Sequence, residues 1–173
     1  MCVRRLSNVH RSDEGEYRCV ASNSVGPAQN ITANLLVRFP PQISASRPRL
    51  QQALGYDVRL SCLVESFPTS ALDWQKDGEL IKNDNHFYIA HFNKGAASTL
   101  TTLQIYGLVE EDYGIYQCLA RNAHGNDTQT VELIKTKIPN PEAAFGGSLQ
   151  KHSSILAIMS SLATVFSISC LVI

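Results

Sequence analysis

The chain has 173 residues, room for one or two small domains, and its 15 basic side chains balance 15 acidic ones. Without net charge there is no long-range field to draw it to nucleic acid or to an acidic membrane. The five cysteines inform through position rather than number.

The start, Met1-Cys2-Val3-Arg4-Arg5-Leu6, runs into polar residues and lacks the apolar stretch of a secretory leader. Residues 13–26 then hold a pattern that returns later in the chain. Asp13, Gly15, Tyr17 and Cys19 reappear as Asp112, Gly114, Tyr116 and Cys118. The following Val20-Ala21-Ser22-Asn23-Ser24-Val25-Gly26 parallels Leu119-Ala120-Arg121-Asn122-Ala123-His124-Gly125. This is an internal repeat. Its first copy supplies two strands, at about residues 15–23 and 30–37.

The junction over residues 37–43 is short and stiff. Pro40 and Pro41 each fix their own φ and Pro41 also restrains Pro40, so tandem units joined here stand end to end.

From residue 43 to about 136 the chain reads as short strands with period-two alternation. Val58, Leu60, Cys62 and Val64 share one face, with Arg59, Ser61 and Leu63 on the other. Leu72, Trp74 and Lys76 alternate with Asp73 and Gln75, and Lys76-Asp77-Gly78-Glu79 is a turn. Residues 86–92 suit a further strand, and Asn93-Lys94-Gly95 marks the turn towards another, where Leu100, Leu103 and Ile105 alternate more loosely. The last two strands are expected at residues 114–121 and 128–135.

Beyond Ile138 the composition changes twice. Pro139-Asn140-Pro141-Glu142 ends strand structure, Ala143 to Ser148 is a small-residue stretch, and residues 155–173 carry no charge. As a helix those last residues would span about 28 Å, enough for a bilayer. No basic flank follows them, however, and small residues, a polar spacer and a terminal apolar tail form the pattern of a glycosylphosphatidylinositol anchor. Gly146 is the first choice for attachment because Gly147 and Ser148 are both small. Its spacer is short, so Ala144 stays as the alternative, with Phe145 as its weakness. A single spanning helix is the competing reading.

No catalytic or cofactor-binding arrangement emerges. His86 and His91 are five apart and on one strand would face opposite sides, so no shared metal is expected. There is no glycine-rich phosphate loop and no nucleophile motif. Asp13 and Asp112 are expected to be structural hydrogen-bond acceptors rather than functional acids. Two sequons, Asn30-Ile31-Thr32 and Asn126-Asp127-Thr128, offer glycosylation at Asn30 and Asn126.

Cys62, Trp74 twelve positions on, Tyr116 and Cys118 come in the order and spacing of an immunoglobulin domain, and the stretch from Asp112 to Cys118 resembles the start of its strand F. The resemblance implies an all-β sandwich of the I-set type. It implies a Cys62–Cys118 bridge between sheets, an indole of Trp74 packed on it, and hydroxyls of Tyr116 and Tyr17 returned to the backbone upstream. Gly114 and Gly15 would allow the tight turn before each strand. A bridge closing a loop of about 57 residues contributes roughly 4 kcal/mol in the chain-entropy account, a large share of a small domain's net stability. It also places the chain in an oxidising compartment.

By the same likeness the first copy is only the end of a domain, and Cys19 is expected to have lost its partner. Cys2 is set aside on register: counting back from Asp112 gives inward Leu108, Ile105 and Leu103, whereas counting back from Asp13 gives Val9, Leu6 and then Arg4. The chain is therefore expected to be a fragment, or the product of an incompletely assembled gene, joined near Leu6. Its expected layout is a domain remnant over 1–38, a complete domain over 41–137, a linker and attachment region over 138–154 and a hydrophobic tail over 155–173.

Residues 41–65 narrow the likeness. Pro41, Ile43, Arg47-Pro48-Arg49-Leu50, Gln52-Ala53-Leu54, Tyr56-Asp57 and Val64-Glu65, with His91-Phe92, resemble the last immunoglobulin domain of the lachesin group of insect neural cell-surface proteins. That resemblance covers residues 6 to about 138. It implies a non-enzymatic adhesion or recognition glycoprotein on the outer face of the cell membrane, held by a lipid and contacting other cell-surface proteins, like or unlike. No cofactor, nucleic acid or small-molecule substrate is implied.

Overall fold

The computed structural model describes residues 5–22 and 27–144. In chain order the strands are β1 (Gly15–Ala21), β2 (Gln29–Leu35), β3 (Phe39–Ser44), β4 (Arg49–Ala53), β5 (Val58–Phe67), β6 (Ala71–Lys76), β7 (Glu79–Leu80), β8 (Phe87–Gly95), β9 (Ser98–Ile105), β10 (Gly114–Asn122) and β11 (Gly125–Thr136). Single 3₁₀ turns at Arg11–Asp13 and Glu110–Asp112 precede β1 and β10.

β1 and β2 form an antiparallel pair by themselves, with Tyr17 opposite Ala33 and Cys19 opposite Ile31. The other nine strands make two sheets. One has the order β3-β5-β9-β8, the other β4-β11-β10-β6-β7, with β4 running parallel to β11 and the remaining pairs antiparallel. Alternation dictates which side chains meet between them. On β5, Val58, Leu60, Cys62 and Val64 are buried while Leu63 and Glu65 face out. Trp74, Leu103, Ile105, Leu108, Tyr116 and Leu133 come from the other elements to the same core.

β3 and β4 are one strand interrupted by a change of sheet. β3 pairs with β5 only as far as Ser44 opposite Leu63, and β4 joins β11 at Arg49 opposite Glu132. Pro40 and Pro41, expected in a stiff junction, lie within β3, an edge strand where a missing N–H is tolerated and where the register shifts between Phe39 and Gln42.

The turn expected at Asn93-Lys94-Gly95 is displaced. β8 continues to Gly95 with a bulge between Asn93 and Gly95, because His91, Phe92 and Asn93 still find ladder partners on β9. Asp77 and Gly78 do form the tight turn between β6 and β7, with φ of 51° and 85°, the positive pair that an Asp-Gly hairpin turn requires.

Candidate functional site

Cys62 and Cys118 are joined by a disulfide with Cα atoms 6.7 Å apart. Both are fully buried. Register places a second cross-sheet link beside it. Cys118 stands opposite Trp74 in one sheet and Cys62 opposite Thr101 in the other, and Trp74 Nε1 donates to Thr101 Oγ1 at 2.8 Å. Trp74 and Thr101 are both completely buried, so this bond satisfies the indole where water cannot. His91 Nδ1 lies 3.1 Å from the same hydroxyl.

The segment before β10 is built from Asp112 and Tyr116. Tyr116 Oη donates to the Asp112 carbonyl at 2.6 Å, and the Asp112 carboxylate receives the Val109 N–H at 2.7 Å. His86 Nε2 sits 2.9 and 3.0 Å from its two oxygens. Asp112 thus acts as a structural acceptor linking the turn to the start of β8. Burial, together with the charges of Asp112 and Asp77, pushes the Tyr116 hydroxyl far above its ordinary value. Burial and the neighbouring Glu110 and Asp112 push Tyr113 up to about 12. Gly114 has φ of 134°, a conformation that side chains with a Cβ rarely adopt.

The first copy repeats this bonding. Tyr17 Oη donates to the Asp13 carbonyl at 2.7 Å, the Asp13 carboxylate receives His10 N–H at 2.8 Å, and Gly15 has φ of 150°. What differs is cover. Tyr116 is buried, whereas Tyr17 is half-buried, Ile31 on the same face is 72 % exposed and Val9 is 45 % exposed. The expectation that Cys19 lacks a partner is corrected: Cys19 is disulfide-bonded. The register argument concerned which way an inner strand would face, and it does not limit how far chain outside the strand can reach. Cys2 and Gly146 lie outside the described residues, as do residues 145–173.

Asn30 on β2 and Asn126 on β11 are both exposed. Asp127, inside the second sequon, holds the start of the domain by accepting Ile43 N–H at 2.6 Å. Beside Asn126, a shallow concavity on the outer face of β6, β10 and β11 is lined by Asp73, Gln75, Leu80, Leu119, Arg121 and Thr128. Among the described residues no group of three or more His, Cys, Asp or Glu could hold a metal ion, and no helix is long and apolar enough to cross a membrane.

Sequence reasoning missed Thr101 and Gln52. The Gln52 side chain is fully buried, donates to the carbonyls of Asp57 (2.9 Å) and Asn140 (3.2 Å), and accepts from the N–H groups of Ala53 and Asn140 (both 2.9 Å). The signal was available, since Gln52 shares parity with Leu50, and Thr101 with Leu103 and Ile105. A polar residue at an inward position must find a partner.

Residues 41–134 match the family description Immunoglobulin I-set domain. The chain is similar to lachesin of Schistocerca americana, 39 % identical over 161 residues that make up 91 % of this chain and 46 % of that one. It is similar to lachesin of Drosophila melanogaster at 38 %, over 82 % of this chain and 40 % of that one. Protein amalgam of Drosophila melanogaster is 33 % identical over 79 % of this chain and 41 % of that one. The chain therefore spans less than half the length of these curated relatives. A chain in the solved complex of Dpr2 Ig1-Ig2 with DIP-Theta Ig1-Ig3 superposes with a TM-score of 0.68 at 30 % identity, covering 76 % of this chain and 44 % of that one. Titin A168169 superposes with a TM-score of 0.62 at 26 % identity, over 76 % of this chain and 68 % of that one.

Proposed function

From the premise that the chain belongs to the immunoglobulin I-set family, we propose that it is the membrane-proximal part of a cell-surface adhesion or recognition glycoprotein. The observation that carries this reading is the likeness to lachesin along 91 % of the chain. A buried Cys62–Cys118 disulfide supports it, because such a bond persists in the oxidising space outside the cell. The family and these relatives are non-enzymatic.

In this reading the chain works by position. A stiff sandwich holds recognition surfaces at a set height over a two-dimensional surface, which raises the effective concentration of weak contacts with another cell. The partners are other cell-surface proteins, like or unlike. A complex between two proteins built of such domains, Dpr2 and DIP-Theta, supports that class of partner. Glycans at Asn30 and Asn126 would project from exposed strand positions. The tether is a glycosylphosphatidylinositol anchor, attached at Gly146 after removal of residues 155–173 with the rest of the tail. The second reading is a single-pass receptor, favoured by the charge-free length of those same residues.

Treating intact cells that express the protein with a phosphoinositide-specific phospholipase tests the tether. Release into the medium, with no peptide from residues 155–173 in the mature protein, is the expected result. Retention on the cells with that peptide present would overturn the anchor and favour the spanning helix.

A further inference from the structure

The change of sheet between β3 and β4 leaves a seam. β3 covers β5 only from Leu63 to Phe67, so the stretch from Val58 to Cys62 has β9 on one side and no strand on the other. Open backbone donors at such an edge need partners. Residues 139–144 supply one, to Arg59.

The Ala143 carbonyl accepts the Arg59 N–H at 2.9 Å, standing where the next strand of the sheet would be. Ala143 itself has no exposed surface. Asn140 exchanges two bonds with the buried Gln52 amide of β4, in the opposite sheet, and its own Nδ2 donates to the Gln51 carbonyl at 3.2 Å. Arg47, in the bend between β3 and β4, donates to the Glu142 carbonyl at 2.5 Å. The turn is closed internally by Ala143 N–H on the Asn140 carbonyl at 3.2 Å. One short segment thus grips both sheets and the bend that separates them.

We infer that residues 139–144 are a docked strap that seals the seam between the sheets and makes the chain leave the domain from a fixed point at Ala144. A stretch with the composition of a loose linker is then part of the folded unit. Resting on the proposed tether, one consequence follows for its site. Attachment at Ala144 would place the link directly beside a buried residue and would require the strap to undock, so the strap favours a site further along the chain. Any swivel of the domain on its tether would then begin beyond Ala144 rather than at residue 137.

Hydrogen exchange on the full chain in detergent tests the strap at two amides, Asn140 and Arg59, whose protection depends on it. In the unaltered protein both should exchange as slowly as neighbouring amides of β11. Gln52→Ala should speed both by at least about tenfold while Leu133 and Cys118 stay protected, since local opening leaves the rest of the fold in place. Ala143→Arg, which forces a long charged side chain into a closed site, should give the same pattern. Unprotected exchange at Asn140 and Arg59 in the unaltered protein, with β11 protected, would overturn the inference. That wild-type pattern decides the matter where a variant fails to fold. Failure of the phospholipase to release the protein would sink the anchor and leave this protection unchanged, so the two failures are distinguishable.

Discussion

Replacing Thr101 by Val removes one oxygen from the centre of the domain and changes little else in volume. The loss falls chiefly on Trp74, whose Nε1 donates to that oxygen at 2.8 Å from a position with no exposed surface, and also on the part-buried His91, whose Nδ1 lies 3.1 Å from it. An N–H stranded in a core costs about 1–3 kcal/mol, more than the net worth of a typical hydrogen bond, because the unfolded chain recovers its bond to water. For a unit of this size each kcal/mol lowers Tm by roughly 4–8 °C. Trp74 is the one tryptophan of the chain, so its fluorescence in a urea titration of residues 1–154 reports directly on the site. Trp74→Phe removes the donor as well, and the double variant closes a thermodynamic cycle followed by circular dichroism. Once Phe is present, Thr101→Val should cost much less, giving a coupling of at least about 1 kcal/mol. A Thr101→Val protein within about 0.3 kcal/mol of the parent at an unchanged m-value would refute the idea that the Trp–Thr bond seconds the disulfide.

Tyr116→Phe should destabilise by about 1–2 kcal/mol in the same titration, because the Asp112 carbonyl loses its donor inside the core. Tyr17→Phe removes the same bond at a half-buried position and should cost less than half as much. Alkaline pH gives a further check. Tyr113 is raised from 10.0 to about 12 and Tyr116 further still, so both stay protonated in the folded state where the unfolded chain ionises. Stability should therefore be level below pH 10 and fall as pH rises towards 12, measured as urea midpoints across that range. A stability that rises over that window would contradict the burial of these hydroxyls. Asn30→Gln and Asn126→Gln should each remove one glycosidase-sensitive step in electrophoretic mobility of the cell-derived protein, and an unshifted band would exclude a glycan at that position.

The parts of the fold that could be read from the chain are those in which one residue type has one physical task. Val58, Leu60, Cys62 and Val64 announce a half-buried strand by parity, and Asp77-Gly78 announces a turn by its need for positive φ. The Asp, Gly, Tyr and Cys repeat gave both corners before β1 and β10, and the two copies share their bonds closely. What escaped were tasks divided between distant residues. Gln52 was given no structural task, because Asn140, which uses both ends of its amide, lies 88 positions away. Residues 139–144 read as linker because Pro, Asn and Ala carry no period, and only the seam left by β3 gives them a place to dock. The β8–β9 turn was misplaced because a bulge absorbed Gly95 inside a strand. Cys19 was misjudged because strand register says nothing of chain outside the strand.

Alkylating the protein on intact cells without reduction, then digesting it for mass spectrometry, tests the core of the account. A single species in which the peptide bearing Cys62 is linked to that bearing Cys118, with neither sulfur alkylated, is the result expected of a bridged sandwich exported to the cell surface. Alkylation of both would contradict the fold's cross-link and the extracellular setting together.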